Sequence, residues 1–232
     1  PEIIDYSLAI FGKPNAGKST FLNSLLGYER SKTSNISGTT SDYVTDTLKY
    51  NNKIIKIIDT AGIGRKSNII DKSVNFYSVQ KSFDNIKNVD AVILMIDSFQ
   101  GLDRQDKRII KLVSDKSKSL VIIFNKIDLI DDAKTFKSET IAKIYYTLSD
   151  MKNIKIFFIT SFSKIKVLKI LDYLYLSVFM NNYKISTSKL NQWLKKIIKD
   201  SQHPLVDGKK VNFKYAVITN NRPMTVKIFC NF

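Results

Sequence analysis

The chain has 232 residues, 44% hydrophobic and 25% charged, globular values that exclude wholesale disorder and allow one large domain or an ordinary domain with a small companion. The 37 Lys+Arg against 21 Asp+Glu give a formal charge of +16, which favours an anionic partner, nucleic acid first, with a solvated lysine-rich surface as the alternative. No apolar run is long enough to span a bilayer, no stretch has the charged-then-apolar pattern of a signal segment, and the lone Cys230 excludes an internal disulfide and fits a reducing cytosol.

In chain order, Leu8 to Phe11 is an apolar run suited to a buried strand, and Phe21, Leu22, Leu25 and Leu26 recur at helical spacing. Between them Gly12 to Ser19 fits Gly-x-x-x-x-Gly-Lys-Ser. Residues 27–40 lack a hydrophobic period and read as a loop. Tyr43–Tyr50 and Lys53–Asp59 are expected as two antiparallel strands joined by the turn Asn51-Asn52. A polar, Gly-containing loop over 60–72 precedes a helical pattern over 73–88. Ala91–Ile96, Leu120–Phe124 and Ile154–Ile159 suit central parallel strands. Helices are expected at Asp103–Ser114, Thr135–Ser149 and Ile165–Met180. The alternation predicts one α/β domain over 1–182, a six-stranded mostly parallel sheet with one antiparallel edge strand. Residues 183–232 predict a thin α+β companion: a helix from Thr187, as its cap, to Asp200, then strand-like runs at Lys209–Ile218 and Thr225–Phe232. Trp193 is expected in its core and Cys230 as buried filler. Because the chain opens on Pro1 rather than Met, it is expected to be part of a longer protein.

Three stretches carry chemistry. In the first, Gly12 and Gly17 allow a tight turn whose N–H groups meet phosphate oxygens, helped by the positive end of the new helix; Lys13, Pro14, Asn15, Ala16 and Thr20 complete the loop. Lys18 would reach the β/γ-phosphates and the Ser19 hydroxyl would ligate Mg²⁺. In the second, Asp59 at a strand end, followed by Thr60-Ala61-Gly62, suits a Mg²⁺-phosphate site, with Gly62 N–H toward the γ-phosphate and Asp59 acting on the metal through water. Thr40 is the choice for the remaining Mg²⁺ hydroxyl and Thr39 the fallback. In the third, Asn125-Lys126-Ile127-Asp128 selects the base. Asp128 can accept from N1–H and the 2-amino group of guanine, donors that adenine lacks, a difference worth several kcal/mol in a buried site. Asn125 would tie this loop to Gly12–Ser19, and the Lys126 stem would cover the base. Ser161 and Phe162, with Ser163, follow the next strand where backbone N–H groups would meet guanine O6, a weak signal alone. His203 reads as a loop residue.

The order and spacing resemble the translation-factor-like G domains, and Gly-Lys-Pro-Asn-Ala-Gly-Lys-Ser-Thr, Gly-Thr-Thr-Ser-Asp and Asp-Thr-Ala-Gly-Ile resemble the group holding the Era, MnmE and Der (EngA) GTPases. The stretches Lys184–Leu194, His203–Lys210, Lys214-Tyr215-Ala216 and Asn221-Arg222-Pro223 resemble the start of the C-terminal KH-like domain of the Der family. That resemblance implies a P-loop G domain followed by a partial KH-like domain, a bacterial cytoplasmic GTPase acting on GTP and releasing GDP, and large-subunit ribosome assembly with rRNA contact. It also implies an upstream tandem G domain as a partner within the same protein. Ser41 stands where the group has Arg, Phe162 where it has a small residue, and no Gly-x-x-Gly loop is present in the KH-like part.

Ile63 occupies the position where many small GTPases keep a water-orienting Gln, so slow intrinsic turnover is expected. The resemblance implies K⁺ held by Asn15 and carbonyls of residues 34–36; Arg65 is a rival for the cation role, though an arginine there is more often a solvent or RNA contact. Two other readings stay open: a nucleotide-dependent RNA- or ribosome-binding module with negligible turnover, and an MnmE- or Era-like RNA-associated GTPase.

Overall fold

A computed structural model describes residues 3–26, 45–59, 86–148, 154–160, 163–200, 205–221 and 224–231. The chain divides into two compact units, Pro1–Val178 and Phe179–Phe232.

The first unit is built on one six-stranded sheet of order β2-β3-β1-β4-β5-β6. Its strands are β1 (Tyr6–Gly12), β2 (Thr45–Tyr50), β3 (Lys53–Asp59), β4 (Ala91–Asp97), β5 (Ser119–Asn125) and β6 (Lys155–Phe158). Edge strand β2 is antiparallel to β3, and every other pairing is parallel. The β2–β3 turn holds Asn51 and Asn52 at φ 48° and 59°, left-handed values that asparagine tolerates and that match the twist of a hairpin.

The central strands are continuous apolar runs because both faces are covered. Leu8, Ile10, Ile57, Ile93, Met95, Val121 and Ile123 face one layer, which includes Phe21 and Leu25 of α1 (Lys18–Leu26). Val167, Ile170, Leu171 and Leu174 of a later helix, Lys164–Asn182, belong to the same layer. Ala9, Phe11, Val92, Leu94, Ile96, Ile122 and Phe124 point the other way, the period of two expected of a pleated strand. They meet Ile109, Ile110 and Val113 of α2 (Arg104–Asp115) and Ile144 of α3 (Ala133–Thr147). The Lys164–Asn182 helix is α4. Asp103 caps α2 by accepting from Asp106 N–H at 2.8 Å, while the Asp106 carboxylate accepts from Asp103 N–H at 3.0 Å. The expected fold class is thus observed, with helix ends displaced by one or two residues.

The second unit contains α5 (Thr187–Asp200), short strands β7 (Leu205–Val206) and β8 (Lys209–Lys210), and an antiparallel pair, β9 (Phe213–Asn221) with β10 (Met224–Cys230). Leu190 and Leu194 of α5 pack on Ala216, flanked by Ile185, Ile198, Ile218 and Val226. Asn191 fixes the helix to the hairpin: its Oδ1 accepts from Ala216 N–H and its Nδ2 donates to Ala216 C=O, each at 2.8 Å.

Four expectations change here. Ser186, not Thr187, caps α5: its Oγ accepts from Lys189 N–H at 3.3 Å and its carbonyl from Leu190 N–H. The run Lys209–Ile218 breaks at Val211-Asn212 into β8 and β9, and β7 was not anticipated. Cys230 is half-buried. Trp193 is 57% exposed rather than core, because two strands cover only the narrow Leu190–Leu194–Ile198 line of the helix. Among the described residues no helix is long and apolar enough to cross a membrane.

Candidate functional site

The loop from Gly12 to Ser19 leaves the C-terminal end of β1 beside β4. Gly12 has φ 147°, and a Cβ there would lie 2.3 Å from the Met95 carbonyl oxygen, so only glycine can end the strand this close to its neighbour. Asn15 and Gly17 also take positive φ, 65° and 96°, which curls the chain around its own amides. Ala16 is buried, and its N–H donates to Lys13 C=O at 3.3 Å. Phe21 N–H donates to Gly17 C=O at 2.9 Å, so the first turn of α1 opens directly from the loop with no acidic residue to offset its positive end. Lys18 Nζ donates to the carbonyls of Gly12 and Lys13, both at 2.6 Å, which holds the ammonium across the loop's opening turn. Ser19 and Asn15 are exposed.

Two strands away, β5 delivers Asn125 to the same loop. Asn125 is 2% exposed; its Nδ2 donates to Ala16 C=O at 3.0 Å, and its backbone carbonyl accepts from Ser98 Oγ at 2.6 Å. Its Oδ1 is buried and has no hydrogen-bond partner among the described residues. Lys126 takes φ 61°, and its Nζ pairs with Asp97 Oδ2 at 2.7 Å. Burial works against the Asp97 charge, but hydrogen bonds from Lys126 and Phe99 N–H hold its carboxyl below the usual range. Asp128 is exposed at the end of this turn and accepts from Thr160 Oγ1 at 2.9 Å. Ile159 N–H donates to Phe124 C=O and Ile127 N–H to Ile159 C=O, which keeps the Thr160 segment against the Asn125–Asp128 loop.

Sequence reasoning missed three of these partners. Thr160 lies one residue before the Ser161-Phe162 segment singled out above. Asp97 is the register partner of Asn125 on β4, a relation visible only once the strands are paired. Lys13 Nζ lies 2.9 Å from Asp103 Oδ2, linking the loop to the cap of α2. This pair holds Asp103 down to about 2 against burial, while burial first, then the nearby Asp103 charge, pushes Asp106 up to about 6. Asp59 ends β3 with its backbone in register with Ile10, two residues before Gly12. Its side chain lies outside the described residues, as do Thr39, Thr40, Gly62, Ile63, Arg65, Ser161, Phe162, His203, residues 34–36 and most of the expected 73–88 helix.

A glycine-bounded loop opening a helix, on a parallel sheet of this order with one antiparallel edge, defines the P-loop G-domain class. Residues 7–126 match the family model described as 50S ribosome-binding GTPase, and residues 184–232 match the KH-domain-like C-terminal region of EngA bacterial GTPases. The chain belongs to the 50S ribosome-binding GTPases, and within them to the Der (EngA) family. It is 36% identical to GTPase Der of Orientia tsutsugamushi (strain Ikeda) over 228 residues, 98% of this chain and 50% of that protein. It spans about half the length of the curated relatives it matches. The solved structure of Era in complex with MgGDPNP and nucleotides 1506–1542 of 16S ribosomal RNA is 25% identical, with TM-score 0.56 over 74% of this chain and 56% of that one. An Aquifex aeolicus Era bound to GDP·AlF4−, at 22% identity, shares the fold with TM-score 0.57 over 98% of this chain and 79% of its own.

Proposed function

We propose that this chain is a GTP-dependent switch in large-subunit ribosome assembly, in which residues 1–182 bind and hydrolyse GTP and the KH-like residues 183–232 meet rRNA in the cytoplasm. The observation that carries the reading is the Asn125 Nδ2–Ala16 C=O bond, which supports one site shared by the phosphate loop and the base-selecting loop. In this reading the amides of Lys13 to Thr20 and the Lys18 ammonium bind the phosphates, and Asp128, oriented by Thr160, accepts from guanine. Lys126, turned toward Asp97, lays its stem along the base. Ser19, Thr40 and, through water, Asp59 form an all-oxygen donor set suited to Mg²⁺, whose role when bound is to neutralise charge on the β- and γ-oxygens. Gly62 N–H would meet the γ-phosphate, and Asn15 would seat K⁺ where Ile63 supplies no water-orienting group. The greater length of the Der relatives accommodates an upstream tandem G domain, and a second P-loop upstream of Pro1 is the expected finding.

Competition against mant-GTP tests the base assignment: GDP should displace it and ATP should not. Asp128→Asn should weaken guanine nucleotides by about a hundredfold or more and improve xanthosine nucleotides, whose 2-oxo group accepts from an amide. If ATP competes as well as GTP, the assignment fails. Exchange of K⁺ for Na⁺ should slow hydrolysis by the intact protein; an unchanged rate removes the Asn15 role. Ile63 favours a second reading, a nucleotide-dependent ribosome-binding module with negligible turnover. Single-turnover hydrolysis with and without ribosomal subunits separates the two.

A further inference from the structure

The β9–β10 sheet of the second unit has two faces, and among the described residues one of them packs on α5. Ala216, Ile218 and Val226 face α5. Alternation along the strands then places Tyr215 and Val217 of β9 on the opposite face, with their cross-strand partners Phe229 and Lys227 of β10. There Tyr215 and Phe229 form a stacked pair, ring centroids 4.6 Å apart and planes at 18°, and Lys227 Nζ lies 5.2 Å from the centroid of the Phe229 ring. Tyr215 remains 47% exposed despite this stack. Residues 179–232 carry nine Lys and one Arg against two Asp and no Glu, so under a quarter of the chain holds half of its net charge of +16. An exposed ring, already flattened against a neighbour and set in a strongly cationic unit, matches what an unpaired base on a phosphate backbone requires: a π-face for the base and ammonium groups for the phosphates. A lysine surface alone would bind duplex and single strand alike; the ring is the element that duplex RNA, with its bases stacked inside, cannot engage.

We infer that the outward face of the β9–β10 pair is a base-stacking platform for unpaired RNA nucleotides, with Tyr215 as the stacking ring and Lys227 as a phosphate contact, a reading that rests on the rRNA partner proposed above. Residues 183–232 contain no Gly-x-x-Gly loop, and the platform requires none. Phe229 is the positioning residue, holding the Tyr215 ring upright.

The test uses the full chain with a short fluorescein-labelled oligouridine and a duplex RNA of equal length, followed by anisotropy over a range of salt. The parent should prefer the single strand. Tyr215→Leu should weaken oligouridine binding about tenfold with the salt dependence unchanged, and Tyr215→Trp should restore it. Lys227→Gln should lower the slope of log affinity against log salt by about 0.7. A 5-bromouridine version of the probe should crosslink to Tyr215 or Phe229 in the unmodified chain, a readout that stands even if Tyr215→Leu fails to fold. Equal affinity of the Leu variant, crosslinks confined to other segments, or duplex bound as tightly as single strand would each overturn the platform while leaving an RNA partner standing. A parent chain that binds no RNA would overturn both. If Tyr215→Leu alters only the oligomeric state, the face is a protein contact and the inference falls.

Discussion

The two units reach order by different means. In Pro1–Val178 the central strands are apolar on both faces, and their ends, not their middles, carry the polar groups of the site: Gly12 on β1, Asn125 on β5, Asp97 on β4. Burial of the strands fixes where those groups emerge. In Phe179–Phe232 the buried set among the described residues narrows to a few side chains around Leu190, Leu194 and Ala216. There a single amide, Asn191, does the positioning that a thicker core does elsewhere. In the deep core, strand burial sets where the site's groups emerge and side-chain bonds such as Asn125–Ala16 complete it; the thin one relies on directed hydrogen bonds for its basic packing and leaves apolar surface in the open.

The sharpest way to break this contrast is Gly12→Ala. With the Met95 carbonyl 2.3 Å from the new Cβ and φ at 147°, β1 or β4 must move, and a loss of more than about 3 kcal/mol is expected in urea unfolding, with loss of nucleotide binding. Asn125→Ala should cost about 2–3 kcal/mol, since it leaves the buried Ala16 carbonyl without its donor, and should also weaken nucleotide affinity. In the second unit Leu194→Ala should cost about 2–3 kcal/mol and Asn191→Ala about 1–2 kcal/mol. If the Asn191 variant proves neutral, the polar-lock account of this unit is wrong.

Smaller again is a pH effect in the first unit. Asp106, 3% exposed, has its carboxyl pushed up to about 6 by burial and the Asp103 charge. The folded chain therefore holds this proton where the unfolded chain, near the ordinary 3.8, has lost it. The group favours the folded state fully below about pH 4, and that contribution is lost as pH rises through about 6. Asp106→Asn, which keeps an acceptor for Asp103 N–H, should flatten stability against pH across this window by about 1–2 kcal/mol. Trp193→Ser closes the series: exposed beyond the hairpin's reach, it should change stability by less than about 0.5 kcal/mol.

The sequence made the first unit legible and the second only partly so. Apolar runs such as Ala91–Ile96, short and bounded by polar residues, suit strands covered on both sides, and Asn51-Asn52 marks a turn that few other pairs tolerate. The phosphate and base-selecting loops were visible because glycine and a short polar motif sit next to such runs. What stayed hidden depends on pairing across the chain: Thr160 on Asp128, Lys126 on Asp97, and Lys13 on Asp103 join residues 29 to 90 positions apart. Trp193 misled for the opposite reason. A helical stripe records which side of a helix is apolar, but not how wide the surface is that meets it.

The Asn191 contact has one more effect. In an antiparallel ladder every second residue turns both backbone groups away from its partner strand, and the Asn191 amide answers both of those groups at Ala216. An incoming strand on that side of β9 would have to displace two 2.8 Å bonds before forming its own. One asparagine side chain thus seals a sheet margin against edge-to-edge growth, protection that other proteins obtain from a proline, a bulge or an inward-pointing charge.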